Sequence, residues 1–526
     1  MNKPTQYALR SVGLAALMAL GLTSAHADER ADLETLRQTT INLIESLVQQ
    51  GVLPAAKAAQ IVKDAEAKAK DKATADAAAA VAAKPAEPGV VRIQYVPESV
   101  RKQISDQVRE EVVAQAKAER WGDVNAIPEW VDRFKFEGDM RLGYQLDTFA
   151  DANAPELNFQ VLGQNVANTT EDRQRTRLRA RLGVTAKVTP DVSAALRLAT
   201  GNLTEPVSTN QTMGQTGNKY SFVLDRAYIK AHSPTFMPWL TASAGRIPNP
   251  FFSTDLLWDD DLNFEGLALQ IEDSAASAKT WRPFGTIGAF PLEDIQKSLS
   301  NRSKSKWLTG AQVGFEWVPS NDTRAKVGLG LYDYRHISGI RNEFGTSLYN
   351  DTAPAFRQKG NTLFDIDNDG DINTNLFALA ADYRLVNLTG VVDFNLYNPV
   401  HLIVTGDYVK NVGFSSSKTL ARSGLNVKPE TKGYLARVAV GMPTMLLKDD
   451  WQLSLTYRYV EADAVLDAFT DSDFHLGGTN AKGFIVGAQY GLSKSTWLNA
   501  RWLSSREISG LPLSTNTLQL LFNAKF

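Results

Sequence analysis

Residues 173–188, RQRTRLRARLGVTAKV, alternate between two kinds of side chain. Arginine stands at every second position from Arg173 to Arg181, and Leu, Ala or Val fills every second position from Leu178 to Val188. Because successive side chains of a β-strand point to opposite faces, the stretch predicts a strand with one basic and one apolar face. Such a strand needs apolar surroundings on one side and water on the other. The basic face comprises Arg173, Arg175, Arg177, Arg179 and Arg181.

The same two-residue period runs through most of the chain from Phe134 to Phe526. It predicts about 16 antiparallel strands. The predicted strands cover residues 134–147, 175–188, 192–201, 221–232, 239–247, 264–272, 283–290, 306–318, 323–334, 385–396, 400–411, 431–442, 450–462, 481–491, 496–506 and 516–526. Short connections alternate with longer ones, which is the pattern of barrels with short periplasmic turns and long outer loops.

Alternation alone also fits a soluble sandwich with one wet face. Two features favour a membrane barrel instead. The apolar runs of roughly 10–13 residues exceed the usual strand of about 5–6 and match tilted membrane-spanning strands. The apolar faces also end in aromatic residues, as interfacial girdles do. Because every backbone group inside a bilayer must be paired, the sheet must close, and a barrel of this size holds water in its lumen.

The N-terminus predicts export. Lys3 and Arg10 form a positive region before a short apolar run at residues 12–22, and Ala25-His-Ala27 forms a small-residue cleavage site. This is the pattern of a signal peptide covering residues 1–27, because about 11 apolar residues are too few to span a bilayer as a helix. The chain contains no cysteine, which excludes disulfides, thiol catalysis and cysteine-based metal sites.

Residues 28–125 predict a short α-helical periplasmic segment before the barrel, which itself takes residues 130–526. Apolar positions stepping by three and four between Leu33 and Leu47 fit a two-heptad coiled coil or a single amphipathic helix in a hairpin. An Ala-rich and Pro-rich stretch ending near Gly89 forms a linker.

The formal net charge of −2 argues against a nucleic-acid binder, which would carry a basic excess. The arginine row is therefore a local feature of a pore wall. The five histidines show no metal-ligand spacing, and no Gly-x-Ser-x-Gly motif occurs. We predict neither catalytic residues nor a cofactor.

Several motifs resemble those of the putative porins of Gram-negative outer membranes. They are Gly245–Pro250 (GRIPNP), Trp258–Asp261 followed by Glu265-Gly266, Ser472–Asn480 (SDFHLGGTN) and the terminal Phe526. The resemblance runs from about residue 28 onward. It implies a transport barrel in the outer membrane, in contact with lipid and usually trimeric. Phe526, after alternating apolar residues, is similar to the signal that the barrel-assembly machinery reads.

In porins of similar architecture, the loop after the fifth strand folds into the lumen. The equivalent loop here, Pro248–Asn263, carries the acidic residues Asp255, Asp259, Asp260 and Asp261. We expect it to place these carboxylates across from the arginine row, so that opposed charges narrow a water-filled path. The alternative is an external loop with a solvated acidic cluster.

An acidic turn in the longest predicted loop matches the start of a calcium loop. Its oxygen-bearing residues are Asp365, Asp367, Asp369 and Asp371, but the twelfth position is Leu376 rather than the bidentate Glu. Calcium binding is a hypothesis here, and a solvated turn is the alternative.

These observations predict an outer-membrane porin that passes small hydrophilic solutes and ions by passive diffusion. An anion- or phosphate-selective channel is the main alternative, since arginine forks suit phosphate oxygens. A barrel tethered to the cell wall through residues 28–125 is a third hypothesis, and it is compatible with a pore.

Overall fold

The computed structural model describes residues 131–273, 279–320, 322–371 and 373–526. The predicted signal peptide at 1–27 and the predicted helical segment at 28–125 lie outside these residues. Within the described part of the chain, no helix is long and apolar enough to cross a membrane.

Sixteen antiparallel strands form a closed barrel. In chain order, β1 to β16 are Phe134–Phe149, Arg173–Lys187, Val192–Ala199, Val223–His232, Leu240–Pro248, Asn263–Glu272, Trp281–Glu293, Lys306–Ser320, Thr323–Arg335, Tyr383–Tyr397, Val400–Asn411, Lys432–Gly441, Trp451–Val460, Ala481–Gly491, Thr496–Glu507 and Ser514–Lys525. Each strand pairs with its neighbours in sequence, and β1 pairs with β16 from Asp139 opposite Lys525 to Phe149 opposite Thr515. This last pairing closes the sheet.

The predicted strands are all present. The largest difference in bounds falls in β7, predicted at 283–290 and observed at Trp281–Glu293. The two-residue period located the strands because it follows directly from the pleat. It did not indicate the short strand segments Gln211–Thr212, Leu363–Asp365 and Phe377–Leu379, which lie in long loops.

The outer face is apolar, as the alternation predicts. Leu182 of β2 is 49% exposed, while Arg179 on the opposite face is 8% exposed. Aromatic side chains gather near one edge of this face, where the ring of Trp281 lies 5.8 Å from that of Trp317. An outward apolar belt bordered by aromatic rings is the surface that a bilayer covers.

The longest connections, residues 150–172, 200–222 and 336–382, all follow odd-numbered strands and so lie at the same end of the barrel. Two short α-helices occur in loops at this end, α1 at Glu156–Val161 and α2 at Ser416–Ser423 in the connection between β11 and β12. Short 3-10 turns occupy Val131–Arg133, Asn350–Thr352, Asp467–Phe469 and Phe474–Leu476.

Two loops at this end are central to the site. We name them L3, residues 249–262 between β5 and β6, and L7, residues 461–480 between β13 and β14. The largest buried apolar cluster contains residues of both loops, including Leu256, Trp258 and Val465. A porin-sized barrel has no side-chain-filled interior of its own, so its apolar core here is made by loops folded against the wall.

Two glycines flank L3 in register. Gly245 of β5 lies opposite Gly266 of β6, with φ angles of +117° and +140°. A Cβ atom at Gly266 would stand 2.2 Å from the carbonyl oxygen of Ala289. Only glycine therefore fits where β6 approaches β7, which gives a physical reason for the Glu265-Gly266 motif.

Candidate functional site

L3 crosses the interior of the barrel. Near its start, the backbone of Phe252 exchanges two hydrogen bonds with the Gln312 side chain of β8, at 2.8 and 2.7 Å. Further on, the Thr254 hydroxyl donates to Asp407 of β11 at 2.6 Å. Its last acidic residue, Asp261, contacts arginines of β2. Because β2 and β11 stand far apart around the wall, L3 narrows the lumen.

An aromatic cluster holds L3 against β9. The ring of Trp258 lies 4.5 Å from that of Tyr332 in an edge-to-face arrangement, and its indole N–H donates to the Tyr334 hydroxyl at 3.4 Å. Phe251 meets the same Tyr332 ring edge-on at 5.1 Å. Trp258 is 1% exposed. Buried edge-to-face ring pairs of this kind favour the packed position of L3 over a solvated one.

Asp261 lies between two arginines of the row. Its Oδ1 is 3.1 Å from Arg181 Nη1 and 3.6 Å from Arg179 Nη1. Its Oδ2 accepts hydrogen bonds from the backbone and hydroxyl of Thr209 at 3.1 and 2.9 Å. Burial acts to raise the pKa of Asp261, but Arg179 and Arg181 outweigh it and hold the pKa below its usual value. The carboxylate is therefore charged.

Arg175 and Arg177 of the row are also paired with carboxylates. Arg175 contacts Asp147 of β1 at 2.6 Å. Arg179 and Arg181 share Asp139 of β1, at 2.9 and 2.8 Å, in addition to Asp261. Arg177 lies 3.7 Å from Asp473 of L7. Arg173 is exposed at the long-loop end of β2.

L7 also folds inward and docks on L3. The backbone N–H of Asp259 donates to the Phe469 carbonyl at 2.8 Å, and the N–H of Ser472 donates back to the Asp259 carboxylate at 2.9 Å. The Thr470 hydroxyl donates to the Leu256 carbonyl at 3.0 Å. The two loops thus form one inner layer.

Carboxylates of L7 pair with arginines of the wall. Asp471 contacts Arg458 of β13 at 3.0 Å, and Arg458 is completely buried. Asp473 contacts Arg501 of β15 at 3.0 Å. Burial raises the pKa of Asp471 to about 6, with Asp255 adding to the shift and Arg458 opposing it. For Asp473, burial is outweighed by Arg501 and Arg177, which lower its pKa.

The remaining acidic residues of L3 have different environments. Asp259 is buried and bonded to backbone N–H groups, and burial together with the nearby Asp471 raises its pKa well above the usual value. Asp260 is exposed, and its pKa is also raised, mainly by desolvation and by Asp261. Asp255 lies 3.9 Å from Arg458.

A cavity of about 830 Å³ lies beside this layer. Its basic residues come from the wall and its acidic residues from the two loops. The arginines are Arg141, Arg179, Arg181, Arg197, Arg226, Arg437 and Arg501, and the aspartates are Asp255, Asp259, Asp260, Asp261, Asp471 and Asp473. Positive and negative charges are therefore nearly equal in number around the cavity. The positive charges lie on the barrel wall and the negative charges on the loops.

The structure therefore brings Arg179, Arg181 and Asp261 together, and it places Asp260 beside them on the same cavity. Sequence reasoning missed Arg141, Arg458 and Arg501 on other strands, and Asp471 and Asp473 in L7. The alternation already assigns Arg141 and Arg501 to inward faces. The sequence gives no such signal for the aspartates of L7, because loops lack the two-residue side-chain alternation of strands.

The calcium hypothesis rests on residues whose carboxylates cap turns. Asp365 accepts from the N–H groups of Asp367 and Leu376, at 3.0 and 2.9 Å, and Asp369 accepts from Asp371. Among the described residues, no three acidic or histidine side chains are grouped to hold a metal ion. Calcium binding stays a prediction. Phe526 exchanges two backbone hydrogen bonds with Gly138, and its assembly role also stays a prediction.

A family model described as "Putative porin" matches residues 37–526. No curated protein matches the chain. Among solved structures, the chain is similar to Pseudomonas putida OprB at high pH, with 10% identity, 77% of this chain and 97% of that chain covered, and a TM-score of 0.45.

Two further structures are similar at comparable distances. One is the loop-deleted outer-membrane protein OmpT of Vibrio cholerae, at 11% identity, 75% and 100% coverage and a TM-score of 0.39. The other is the outer-membrane channel DcaP of Acinetobacter baumannii, at 12% identity, 75% and 97% coverage and a TM-score of 0.38.

Proposed function

This chain belongs to the family of putative porins, and we propose that its barrel is a water-filled outer-membrane channel for passive diffusion of small hydrophilic solutes and ions. The observation that carries the proposal is the inward path of L3, which brings Asp261 to within 3.1 Å of Arg181. A loop crossing the lumen narrows the path to a charged, hydrated constriction.

Charge balance at this constriction supports general diffusion over strong selection. Four of the five arginines of the row, Arg175 to Arg181, are compensated by Asp139, Asp147, Asp261 and Asp473 at contact distances. Paired charges polarise the water between them yet leave no large potential of either sign for a passing ion. Small polar solutes of either charge can then follow the same path.

An anion- or phosphate-selective channel is the second candidate. It is favoured by one observation, the excess of seven arginines over six aspartates along the cavity, of which Asp259 is held by backbone N–H groups and carries a raised pKa. A neutral Asp259 would leave the cavity basic.

The test is current through the purified full-length protein in a planar bilayer under a salt gradient. Discrete steps with a small reversal potential are expected for a general-diffusion channel. A strong anion preference that disappears in Arg177→Gln and Arg179→Gln variants would favour the second candidate. Absence of conductance from folded protein would overturn both.

The assembly is proposed to be a homotrimer, and residues 28–125 are proposed to contact the cell wall or to assist trimerisation. Support comes from the resemblance to trimeric porins and from the heptad spacing of that segment. Deleting residues 28–125 and weighing the complex by native mass spectrometry tests both roles. Unchanged trimers would exclude an assembly role, and unchanged retention on peptidoglycan would exclude the tether.

A further inference from the structure

The outer face of β11 to β15 carries two pairs of basic side chains near the long-loop end of the barrel. In the register of the sheet, Lys410 of β11 lies directly opposite Lys432 of β12, and Lys482 of β14 lies directly opposite Arg506 of β15. Directly opposite side chains of antiparallel strands share a face and have Cβ atoms about 5 Å apart. Each pair therefore places two positive charges side by side. We call these four side chains the basic patch.

The basic patch points away from the lumen. Each of its residues stands two or four positions from an aromatic residue of its own strand that is between 40% and 49% exposed on the outer face. These aromatic residues are Tyr408, Tyr434, Phe484 and Trp502. Lys410, Lys432 and Arg506 are themselves exposed, and Lys482 is half-buried. Because side chains alternate along a strand, the patch belongs to the surface that meets lipid and not to the channel.

A row of tyrosines lies next to the patch, on the side towards the middle of the barrel. Tyr408, Tyr434 and Tyr459 are successive partners across β11, β12 and β13. The rings of Tyr434 and Tyr459 stack with centroids 4.9 Å apart. Tyrosines of this kind mark the level at which acyl chains meet lipid headgroups. Lys410 and Lys432 stand two residues beyond the row and so lie at headgroup level.

Few negative charges accompany the patch. Among the described residues, none of its four side chains forms an ion pair. Glu461 lies beside it but already accepts hydrogen bonds from the Lys432 backbone N–H at 2.7 Å and the Tyr459 hydroxyl at 3.2 Å. Glu430 accepts from the Ser509 hydroxyl at 2.7 Å. Like charges directly opposite each other destabilise a sheet, so an external anion between the members of each pair would stabilise it.

The same strands carry an apolar groove of about 660 Å³ on the outer face, nearer the middle of the barrel. Small side chains form its floor, where Ala488 of β14 lies directly opposite Ala500 of β15. Larger side chains border it, among them Leu453, Val486 and Trp502. A groove of this composition fits a hydrocarbon chain. Apolar groove, tyrosine row and basic patch thus follow one another along the strands in the order of acyl chain, interface and headgroup.

From this order we propose that the outer face of β11 to β15 binds a phosphorylated lipid of the leaflet at the long-loop end, with one phosphate between Lys410 and Lys432 and another between Lys482 and Arg506. Lysine and arginine bind phosphate oxygens through charge-assisted hydrogen bonds. The midpoints of the two pairs are three strands apart, or roughly 15 Å, so the lipid carries a phosphate at each end of its headgroup. The proposal goes beyond passive diffusion, because the site lies outside the lumen.

The probe is diphosphoryl lipid A, an acylated disaccharide with a phosphate at each end, and the matched compound is monophosphoryl lipid A with the same acyl chains. Native mass spectrometry of the detergent-solubilised full chain measures the bound fraction of each lipid over a concentration series. The diphosphoryl lipid is expected to bind about tenfold more tightly, because two basic residues near a membrane surface contribute that factor or more. Equal binding of the two lipids, or no binding of either, would overturn the proposal.

Two double variants test the residues. Lys410→Gln with Lys432→Gln, and Lys482→Gln with Arg506→Gln, should each bind the diphosphoryl lipid about tenfold less tightly and no better than the monophosphoryl lipid. The exposed positions of these side chains make folding of the variants straightforward, and Lys410→Arg with Lys432→Arg keeps both charges and should retain the preference. An undiminished preference in both glutamine variants would contradict the site.

The matched control removes two lysines from the other end of the barrel. Lys448 and Lys494 are exposed in the short connections that follow β12 and β14. Lys448→Gln with Lys494→Gln should leave the preference for the diphosphoryl lipid unchanged. A loss as large as that of the patch variants would show that total charge, and not the basic patch, attracts the lipid.

Conductance in potassium chloride separates this proposal from the channel. A protein that conducts but does not distinguish the two lipids would retain the channel and refute the lipid site. A protein that prefers the diphosphoryl lipid but does not conduct would retain the lipid site and refute the channel.

Discussion

L3 and L7 both fold into the barrel and both carry aspartates to arginines of the wall, yet they are held in different ways. L3 is anchored through Trp258 on Tyr332 and Tyr334, an aromatic contact with one weak hydrogen bond. L7 is anchored through Arg458 and Arg501, which are ion-paired with Asp471 and Asp473. The aromatic contact of L3 is therefore a packing contact, whereas these arginine contacts of L7 are ion pairs, of which Arg458–Asp471 is buried.

The difference has energetic consequences. Packing contributes through contact area and involves no titrating group, so it does not depend directly on pH. Buried ion pairs contribute little net stability over apolar groups, but breaking one partner is costly, because it leaves the other charge unpaired. We therefore expect L3 to fail by cavity formation and L7 to fail by uncompensated charge.

The largest expected effect comes from Trp258→Ala. Removing this fully buried ring should reduce the free energy that docks L3 by roughly 3–5 kcal/mol, the usual cost of a large aromatic truncation. A released L3 should widen the lumen, so single-channel conductance should rise and become noisier. Bilayer recordings measure this directly.

Trp281→Ala is the matched control, because Trp281 is 56% exposed on the outer face of β7. Its conductance should equal that of the wild type. Unchanged conductance in Trp258→Ala would mean that L3 is held by its other contacts, such as those of Gln312 and Asp407.

The next effect concerns L7. Arg458→Met leaves Asp471 buried without its partner, which should loosen L7 by about 3 kcal/mol. Limited proteolysis within residues 461–480 measures this as faster cleavage. The double variant Arg458→Met with Asp471→Asn removes both charges and should recover most of the protection. If the double variant cleaves as fast as the single one, the polar anchor is not the ion pair.

The fold was largely readable from the sequence, and the two loops show where that ends. The period of two identified every barrel strand, because the lipid-facing and water-facing sides of one strand must differ. The resemblance to porins is confirmed by the family match, and that resemblance is what predicted an inward L3. The opposite charges of Asp261 and the arginine row are what predicted a contact between them.

L7 was missed as an inner loop. Its sequence, SDFHLGGTN at 472–480, carries an acidic residue and glycines, as solvated loops also do. Burial of Asp471 depends on Arg458 lying on the inward face of β13 and reaching the loop across space. The strand and the loop that carry this pair are brought together only when the barrel closes. The pairing therefore cannot be predicted from a local sequence pattern.

A third prediction addresses the charges that L3 and the wall share. Asp261→Asn leaves Arg179 and Arg181 with Asp139 as their shared partner, so the channel should shift toward anions. In a hydrated lumen one charge contributes below about 1 kcal/mol, which limits the change in permeability ratio to roughly two- to fivefold. Reversal potentials in a potassium chloride gradient measure the ratio.

Arg181→Gln is the mirror variant and should shift the ratio toward cations by a similar factor. Raising the salt concentration should reduce both shifts, because the charges are screened. Shifts in the same direction for the two variants would show that the pair does not set ion preference.

The smallest expected effect is the pH response of L7. His475 is buried, with its Nε2 3.4 Å from Glu507 and with Lys359 facing the same carboxylate at 3.9 Å. Burial, with Lys359 adding to it, lowers the pKa of His475 to about 4 from 6.5. Between these values a released His475 binds a proton and a docked one does not, so falling pH should favour release.

Asp471 acts in the opposite direction. Its pKa is raised to about 6, so protonation as the pH falls removes a buried charge and favours docking. The two responses overlap between roughly pH 4 and 6 and should leave a net change below about 1 kcal/mol in the docking of L7. His475→Gln removes one of them. Cleavage of L7 in this variant should therefore slow as the pH falls from 7 to 4.5, relative to the wild type at each pH. A parallel response of the two proteins would show that His475 does not titrate against the docked loop.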